Sequence, residues 1–202
     1  MNLWDQRYAH AGYFYGRDPN DFLREHVTKI PREGSVLCLG EGEGRNAVFL
    51  AGLGYDVEAL DQSSVGLGKA RMLAEANSVH IRTAVTNLDG YRFEGDRWDG
   101  IVSIWCHLPA AMRAPLHRQI FASLKPGGIF LLEAYTPDQL RHGTGGPKDR
   151  DLLPSLAEVS RDLAGMEIVI GVERERVVQE GAGHSGLSAV VQIAARRPVL
   201  CR

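Results

Sequence analysis

Val36 to Asn46 read VLCLGEGEGRN, an apolar run that breaks into three alternating glycines before a segment of helical character. This order predicts a buried β-strand, a tight turn and the start of a helix. Glycine permits positive φ angles and close approach of a ligand, and the first turn of a helix has unpaired N–H groups. On this pattern alone, a ligand site and a plain tight turn are both open.

The next predicted strand, Tyr55 to Asp61, narrows that choice. Asp61 follows the glycines by about twenty residues, where an acidic residue at the C-terminal tip of a strand accepts hydrogen bonds from a ribose diol. Together, the glycine turn and Asp61 predict a bound adenosyl ligand.

The spacing of the glycines selects among adenosyl ligands. Dinucleotide-binding turns follow G-x-G-x-x-G and place a diphosphate on the helix N-terminus. This chain has G-x-G-x-G, with Glu41 and Glu43 between the glycines. Two carboxylates beside a diphosphate repel it. The turn therefore favours a cationic cofactor, and an NAD-dependent oxidoreductase is the less favoured alternative.

Apolar runs alternate with amphipathic runs along the chain, which predicts an α/β fold with a doubly wound, mostly parallel, Rossmann-like sheet. The predicted strands are Ser35–Leu39, Asp56–Leu60, His80–Ala84, Trp98–Ile104 and Ile129–Tyr135. The predicted helices are Arg45–Leu53, Ser64–Ala76 and Ala111–Leu124, the last closed by Lys125-Pro126-Gly127-Gly128. An earlier helix is predicted with Asp18 as N-cap and Pro19 at its first position, burying Phe22, Leu23, Val27 and Ile30.

The sequence pattern changes in the C-terminal third of the chain. Thr136–Leu153 is a glycine- and proline-containing loop, expected to be mobile on the substrate side, and a helix follows over Ser155–Leu163. Met166–Val178 and Leu187–Arg196 predict an antiparallel hairpin at the sheet edge, joined by Gln179–Gly186. Residues 1–202 are expected to form one domain.

Composition excludes several classes of partner. The 202 residues are 44% hydrophobic and carry a net charge of −2 without a basic run, so neither nucleic acid nor an anionic membrane is an expected partner. No transmembrane or signal-peptide pattern is present, which predicts a cytoplasmic location. The three cysteines, Cys38, Cys106 and Cys201, are scattered, and neither a disulfide framework nor a metal site is expected.

Several ordered blocks resemble those of class I S-adenosylmethionine-dependent methyltransferases. These blocks read LCLGEGEGRNAVFLAGLGYDVEALDQS, TNL, WDGIVSIWCHL and LKPGGIFLLEAY. Through GEGRN, LGYDV and the aromatic N-terminal stretch, the chain is similar to small bacterial methyltransferases of the tellurite-resistance type. The resemblance implies S-adenosylmethionine as cofactor, S-adenosylhomocysteine as product, and a small-molecule methyl acceptor. It identifies neither the acceptor nor the oligomeric state.

The resemblance also implies roles for individual residues. The glycine turn would lie along the methionine and ribose portions of the cofactor, Asp61 would hold the ribose hydroxyls, and Asn87 with Leu88 would meet the adenine edge. The implied cofactor-binding set is Tyr15, Gly40, Glu41, Gly42, Gly44, Asn46, Asp61, Gln62, Ser63, Asn87, Leu88 and Ile104. The chain departs from the family at Cys38 and Asn87, where acidic residues are usual.

Aromatic residues and histidines supply the acceptor-side candidates. The N-terminal aromatics up to Tyr15, within residues 1–30, either pack on the core or form a lid over the sulfonium, whose charge a ring face attracts. His107 and His184 are the candidate catalytic residues, each with a structural alternative as a loop or surface histidine. Tyr135 and Arg141 are further candidates near the loop. The expected reaction is in-line displacement; a cofactor-binding protein without transferase activity is the alternative.

Overall fold

In a computed structural model that describes residues 2–199, seven strands form a single sheet in the order β3-β2-β1-β4-β5-β7-β6. They are β1 (Ser35–Leu39), β2 (Asp56–Asp61), β3 (Arg82–Val85), β4 (Trp98–Ile104), β5 (Leu124–Tyr135), β6 (Glu167–Glu180) and β7 (His184–Arg196). Strands β1 to β5 are parallel, and β7 runs antiparallel to both of its neighbours. The predicted mostly parallel sheet with an antiparallel edge hairpin is confirmed. Cys201 lies outside the described residues.

Helices cover both faces of the sheet. They are α1 (Leu3–Tyr8), α2 (Asp21–His26), α3 (Arg45–Gly52), α4 (Ser64–Ala76), α5 (Ala110–Ser123) and α6 (Leu156–Asp162). Side chains of α2, α3 and α4 form one buried apolar cluster with the sheet, and those of α5 and α6 form another. Because both faces are covered, β1 is almost wholly buried, which explains its continuous apolar sequence. No helix within residues 2–199 is long and apolar enough to cross a bilayer.

Two predicted boundaries are wrong for identifiable reasons. The helix expected to start at Asp18-Pro19 is α2, and its N-cap is Asn20, whose side chain accepts from the Leu23 N–H. Lys125 to Gly128 do not close α5, which ends at Ser123; they form an irregular start of β5, where Trp98 pairs with Leu124 but Gly100 pairs with Ile129. Backbone bonds between this segment and Arg197 hold the irregularity.

The hairpin turn is shorter than the sequence predicts. β6 ends at Glu180 and β7 begins at His184, so residues 181–183 alone connect them. The backbone of the N-terminal segment packs directly on this turn, and Ala182 N–H donates to the Phe14 carbonyl at 2.8 Å. This contact carries the strand pairing to the end of β6. His184 is therefore a buried strand residue, 5% exposed, rather than a surface turn residue.

The expected loop contains two short 3₁₀ helices, Pro137–Arg141 and Arg150–Leu152. The Gln139 side chain donates to Thr144 and to the Gly145 carbonyl, and it accepts from the Ala189 N–H of β7. These bonds tie the first half of the loop to the hairpin. Its mobility stays a prediction.

Candidate functional site

The main cavity lies beyond the carboxyl ends of the parallel strands, where the order of the sheet reverses between β1 and β4. Its volume is about 560 Å³. The floor comes from the turns after β1, β2, β3 and β4, one wall comes from the hairpin turn and the 136–153 loop, and the N-terminal segment closes the top. The N-terminal residues in the lining are Leu3, Trp4, Arg7, Tyr8, Phe14, Tyr15 and Gly16.

Most of the predicted site residues line this cavity. Those that do are Tyr15, Gly40, Glu41, Asn46, Asp61, Gln62, Asn87, Leu88, Ile104, His107 and His184. Gly42, Gly44 and Ser63 are not in the lining; they belong to the turns after β1 and β2 that carry lining residues. Ser63 caps α4, because its side chain accepts from the Gly66 N–H. Arg141 is also outside the lining, with a side chain 81% exposed and paired with Asp138.

Glu41 occupies the N-terminus of α3. One carboxylate oxygen accepts from the backbone N–H groups of Asn46 and Ala47, at 2.9 and 2.8 Å. Burial raises the pKa of Glu41 to about 7, although these amide bonds and the Arg45 charge oppose the shift. The helix N-terminus, which in a dinucleotide-binding turn receives a diphosphate, is thus filled by a carboxylate of the chain itself.

Two glycines of the turn are required by close packing at positive φ. Gly42 has φ +63°, and a Cβ there would lie 2.6 Å from the Tyr8 hydroxyl oxygen. Gly44 has φ +93°, and a Cβ there would lie 2.6 Å from the Cα of Ala70 on α4. Gly42 therefore lets the N-terminal segment reach the turn, and Gly44 lets two helices approach each other.

Asp61 is buried at the tip of β2 and holds the same turn. Its carboxylate accepts from the backbone N–H groups of Gly42 and Ser63, both at 2.8 Å. Burial raises its pKa against the effect of these bonds. Because an ionised carboxylate has about four acceptor positions, Asp61 can order the turn and still accept from a ligand in the cavity.

The turns after β2 and β3 supply polar groups beside Asp61. Gln62 lines the cavity, and its carbonyl accepts from the Asn2 side chain. Asn87 is exposed and its side-chain oxygen accepts from the Asp89 N–H at 3.0 Å, which orders the turn that carries Leu88. Thr86 completes this part of the lining.

Glu43 attaches the N-terminal segment to the glycine turn. Its carboxylate accepts from the Phe14 and Tyr15 N–H groups at 2.7 and 3.3 Å, and it pairs with Lys69 at 2.9 Å. Glu43 is 4% exposed. Of the two turn carboxylates, one caps a helix and the other anchors the cover of the cavity.

Stacked rings form another part of the cavity wall, where Trp105, His184 and Tyr15 line the cavity and Tyr135, outside the lining, packs against the first two. Trp105 stacks on Tyr135 and on His184, with centroids 4.4 and 4.9 Å apart, and His184 also stacks on Tyr15 at 4.7 Å. Trp105 follows β4 directly and has φ +56°, an unfavourable conformation for a bulky residue. The wall therefore combines strand ends with a residue of the N-terminal cover.

The two candidate histidines differ in whether a ring nitrogen is left without a hydrogen-bond partner. His107 Nδ1 contacts the Trp105 carbonyl at 2.9 Å, while its Nε2 accepts from the Tyr135 N–H at 3.1 Å, so backbone groups use both ring nitrogens. His184 Nδ1 lies 2.6 Å from the Tyr135 hydroxyl, and within residues 2–199 its Nε2 has no hydrogen-bond partner. Burial lowers the pKa to about 4 in His107 and about 3 in His184, so both rings are neutral at neutral pH.

A network of buried charges supports the aromatic wall. Glu180, at the end of β6, accepts from the Trp105 indole N–H and pairs with Arg45 of α3. Glu133 of β5 is fully buried and pairs with Arg176, with two N–O distances of 2.8 and 2.7 Å. Asn20, the α2 cap, donates to both carboxylates. Opposite charges and hydrogen bonds thus compensate the burial of these groups.

Sequence patterns did not predict roles for Arg7, Arg45, Glu133 and Glu180, whereas Trp105 lies in the segment Ile104–His107 that was expected beside the cavity. Only Glu133 gives a local signal, because a charge within the apolar run IFLLEAY of a central strand requires a buried partner. Its partners, Arg176 and Gln192, lie more than forty positions along the chain, which no local pattern connects.

Comparison with known proteins gives matches in sequence. Residues 36–128 match a family model described as a methyltransferase domain. The uncharacterized methyltransferase YbaJ of Bacillus subtilis is 32% identical over 97 residues, 48% of this chain and 38% of that protein. The probable S-adenosyl-L-methionine-dependent methyltransferase TehB of Haemophilus influenzae is 32% identical over 77 residues, 38% of this chain and 27% of that protein. The alignments thus span less than two fifths of each relative.

Solved structures share the fold. The structure described as "Conversion of a Disulfide Bond into a Thioacetal Group during Echinomycin Biosynthesis" has a TM-score of 0.75 at 19% identity, covering 97% of this chain and 91% of that one. TehB from Haemophilus influenzae has a TM-score of 0.71 at 20% identity, covering 96% and 65%. At such identities the likeness concerns the fold.

Proposed function

We propose that the chain is an S-adenosylmethionine-dependent methyltransferase that moves a methyl group to a small-molecule acceptor by in-line displacement; the match of residues 36–128 to a methyltransferase domain and the similarity to YbaJ and TehB support this proposal. The observation that carries this proposal is the joint arrangement of one cavity: a glycine turn whose helix is capped by Glu41, Asp61 at the neighbouring strand tip, and an aromatic wall under a closed cover.

The residues present fit this cofactor. Glu41, Glu43 and Asp61 give one half of the cavity an acidic lining, which suits a sulfonium and an ammonium group and opposes a diphosphate. Asp61 suits ribose hydroxyls, and the oxygen of Asn87 suits an exocyclic amine. Cys38 stands where the family usually has an acidic residue, and Glu41 in the turn itself lines the cavity and can supply the carboxylate there.

When bound, S-adenosylmethionine supplies the electrophilic methyl group, and attack by an acceptor lone pair releases S-adenosylhomocysteine. The chain's own contribution is alignment and exclusion of water. In this role the glycine turn and Asp61 orient the nucleoside. Tyr15 covers the cavity and presents a ring to positive charge, held in place through Glu43.

The N-terminal cover of the cavity also favours a small acceptor. The N-terminal segment is fixed to the glycine turn through Glu43 and to the hairpin turn through the Ala182–Phe14 bond. The cavity beneath is about 560 Å³, within the range of small-molecule sites. A protein or nucleic acid segment would have to displace this cover, whereas a small molecule fits within it.

His184 is the better placed of the two proposed catalytic histidines, since both nitrogens of His107 bind backbone groups. It can accept a proton at Nε2 in the tautomer whose Nδ1–H donates to the Tyr135 hydroxyl. Its lowered pKa makes it a weak base. A soft acceptor such as a thiolate needs little base assistance, which suits this environment.

Incubation with methyl-labelled S-adenosylmethionine and an acceptor panel, read out as S-adenosylhomocysteine release, tests the proposal. We expect turnover of small nucleophiles, with a fall of at least about tenfold in kcat for His184→Ala when the acceptor must lose a proton and a smaller fall when it is a thiolate. His117→Ala is the matched control, since His117 is equally buried but lies on α5 beside Asp162, outside this cavity. Binding of S-adenosylhomocysteine without any transfer, including to components of a cell extract, would favour a non-catalytic binding protein.

A further inference from the structure

Among the Asp, Glu and Arg residues that line the cavity, Arg7 alone has neither an opposite charge nor a backbone group as a partner within residues 2–199. Glu41 and Asp61 accept backbone N–H groups, Glu43 pairs with Lys69, and Arg45 pairs with Glu180. Arg7 lines the same cavity, yet within residues 2–199 it pairs with no carboxylate. A partly buried guanidinium without a counter-ion is expected to have a role in binding.

The structure also holds Arg7 in place. Its Nη1 donates to the Tyr15 hydroxyl at 2.8 Å, and its Cζ lies 4.9 Å from the Trp4 ring and 5.6 Å from the Phe14 ring. Ring contacts and one hydrogen bond fix the side chain and leave most of its five donors unused. The guanidinium is thus ordered before any ligand arrives.

Arg7 lies on the aromatic side of the cavity lining. It is bound to the Tyr15 hydroxyl, and the Tyr15 ring stacks on His184, whereas Glu43 reaches the same segment through the Tyr15 N–H. The charges of Arg45 and Arg7 both act on His184, adding to the burial that lowers its pKa. Arg7 thus suits an anionic group of a ligand, whereas the turn carboxylates suit a cationic cofactor.

We propose that Arg7 binds an anionic group of the methyl acceptor, so that the preferred substrates are small nucleophiles with a carboxylate or similar oxyanion. This inference rests on the proposed function. A guanidinium binds such groups through two parallel hydrogen bonds. The carboxylate of the cofactor has the same chemistry, and the experiment has to separate the two sources.

The test uses two thiols that differ in charge, 3-mercaptopropionate and 3-mercaptopropanol. With saturating S-adenosylmethionine, the wild type should methylate the carboxylate thiol with at least about tenfold higher kcat/KM. Arg7→Gln should raise KM for that thiol by about 10- to 100-fold and remove the preference. Arg17→Gln should change neither value; Arg17 is the matched control because it contacts the Tyr13 ring outside this cavity.

Two further arms exclude other roles of Arg7. S-adenosylhomocysteine and 5′-methylthioadenosine, which lacks the amino-acid tail, are titrated into wild type and Arg7→Gln; a loss confined to S-adenosylhomocysteine would assign Arg7 to the cofactor and overturn the inference. Tyr15→Phe removes the hydroxyl that Arg7 holds. If it reproduced the whole effect of Arg7→Gln, Arg7 would be an anchor for Tyr15, which also overturns the inference.

Binding and transfer are measured separately. Titration calorimetry of each thiol into the complex with S-adenosylhomocysteine measures thiol binding in the absence of turnover. Arg7-dependent binding of the carboxylate thiol supports the inference even if no thiol is methylated, an outcome that would count against the proposed function alone. Equal binding of the two thiols, or binding of neither, overturns the inference.

Discussion

The two halves of the cavity are built in different ways. The proposed cofactor side is a local structure: Glu41, Glu43 and Asp61 lie within twenty-one consecutive residues, and their side chains mainly satisfy backbone N–H groups. The proposed acceptor side is assembled from distant segments. Its Glu180 contacts Trp105, Arg45 and Asn20, which precede it by 75, 135 and 160 positions.

This difference indicates which substitutions should affect global stability and which should affect ligand affinity. A turn made from adjacent residues can form wherever the strand–turn–helix unit forms. The aromatic wall requires the hairpin, the central strands and the N-terminal segment to be in place together. Substitutions on the acceptor side should therefore affect global stability, and those on the cofactor side should chiefly affect ligand affinity.

The largest expected effect is on the acceptor side, at Glu133. Glu133→Ala leaves the buried Asn20 without this acceptor and removes the closest carboxylate of the partly buried Arg176, and it should lower the free energy of unfolding by about 3 kcal/mol. Glu167→Ala, on the β6–β7 hairpin that carries Arg176, removes an exposed pair with Arg196 and should cost less than about 1 kcal/mol. Urea denaturation compares the two variants, and equal losses would contradict the proposed difference.

On the cofactor side, Asp61→Asn should act mainly on affinity. Loss of the charge that holds the turn and accepts from ribose should weaken S-adenosylhomocysteine binding by about 10- to 100-fold. Asp56→Asn is the matched control, because Asp56 lies at the other end of β2 in an exposed pair with Arg82. Calorimetry measures both, and unchanged affinity in Asp61→Asn would refute the role of this carboxylate.

Gly42→Ala tests the link between the turn and its cover. The new methyl group would meet the Tyr8 hydroxyl and should weaken S-adenosylhomocysteine binding by about tenfold, beyond the strain of positive φ. Gly54→Ala isolates that strain, since Gly54 has φ +91° with open space around its Cα. Its expected cost is about 1 kcal/mol of stability with unchanged affinity. If both variants bind equally well, Tyr8 is not part of the closed site.

The smallest expected effect is the release of a fraction of a proton from Glu41 when a ligand binds. Burial raises its pKa to about 7, so at pH 7 the free protein holds a proton there part of the time. A cationic ligand favours the ionised form and lowers that pKa, so binding should release less than about one proton and affinity should rise as pH increases through 7. Calorimetry in two buffers of different ionisation enthalpy measures the release.

Two comparisons make this measurement specific. S-adenosylmethionine should release more protons than S-adenosylhomocysteine, since its sulfur is charged, and Glu41→Gln should abolish the difference. Equal release by both ligands in the wild type would mean that Glu41 does not sense the sulfonium.

The same contrast explains what could be predicted from the sequence. The strand periods, the glycine turn and Asp61 are local patterns. They correctly predicted the sheet and its order of elements, and most of the residues they proposed for cofactor binding line one cavity. The Asn20 cap was missed because Asp18-Pro19 has the stronger local signature. The role of Lys125 to Gly128 was misassigned because their backbone bonds go to Arg197, far along the chain.

The acceptor side could not be predicted for a physical reason. His184 was placed in the hairpin turn, as a catalytic candidate or a surface histidine, because nothing in Gln179–Gly186 indicates that Phe14 and Tyr15 pack against those glycines. The positive φ of Trp105 and the unpaired state of Arg7 are also properties of the assembled chain. Such features depend on contacts between distant segments, which a single sequence does not specify.

The central claim is that Glu41 fills the helix N-terminus, so that the cavity takes a sulfonium nucleoside and not a diphosphate. Titration calorimetry of the wild type with S-adenosylhomocysteine and with NAD, at equal concentrations and pH, tests it most directly. We predict one-to-one binding of S-adenosylhomocysteine and no heat of binding with NAD. Saturable binding of NAD together with no binding of S-adenosylhomocysteine would contradict the claim.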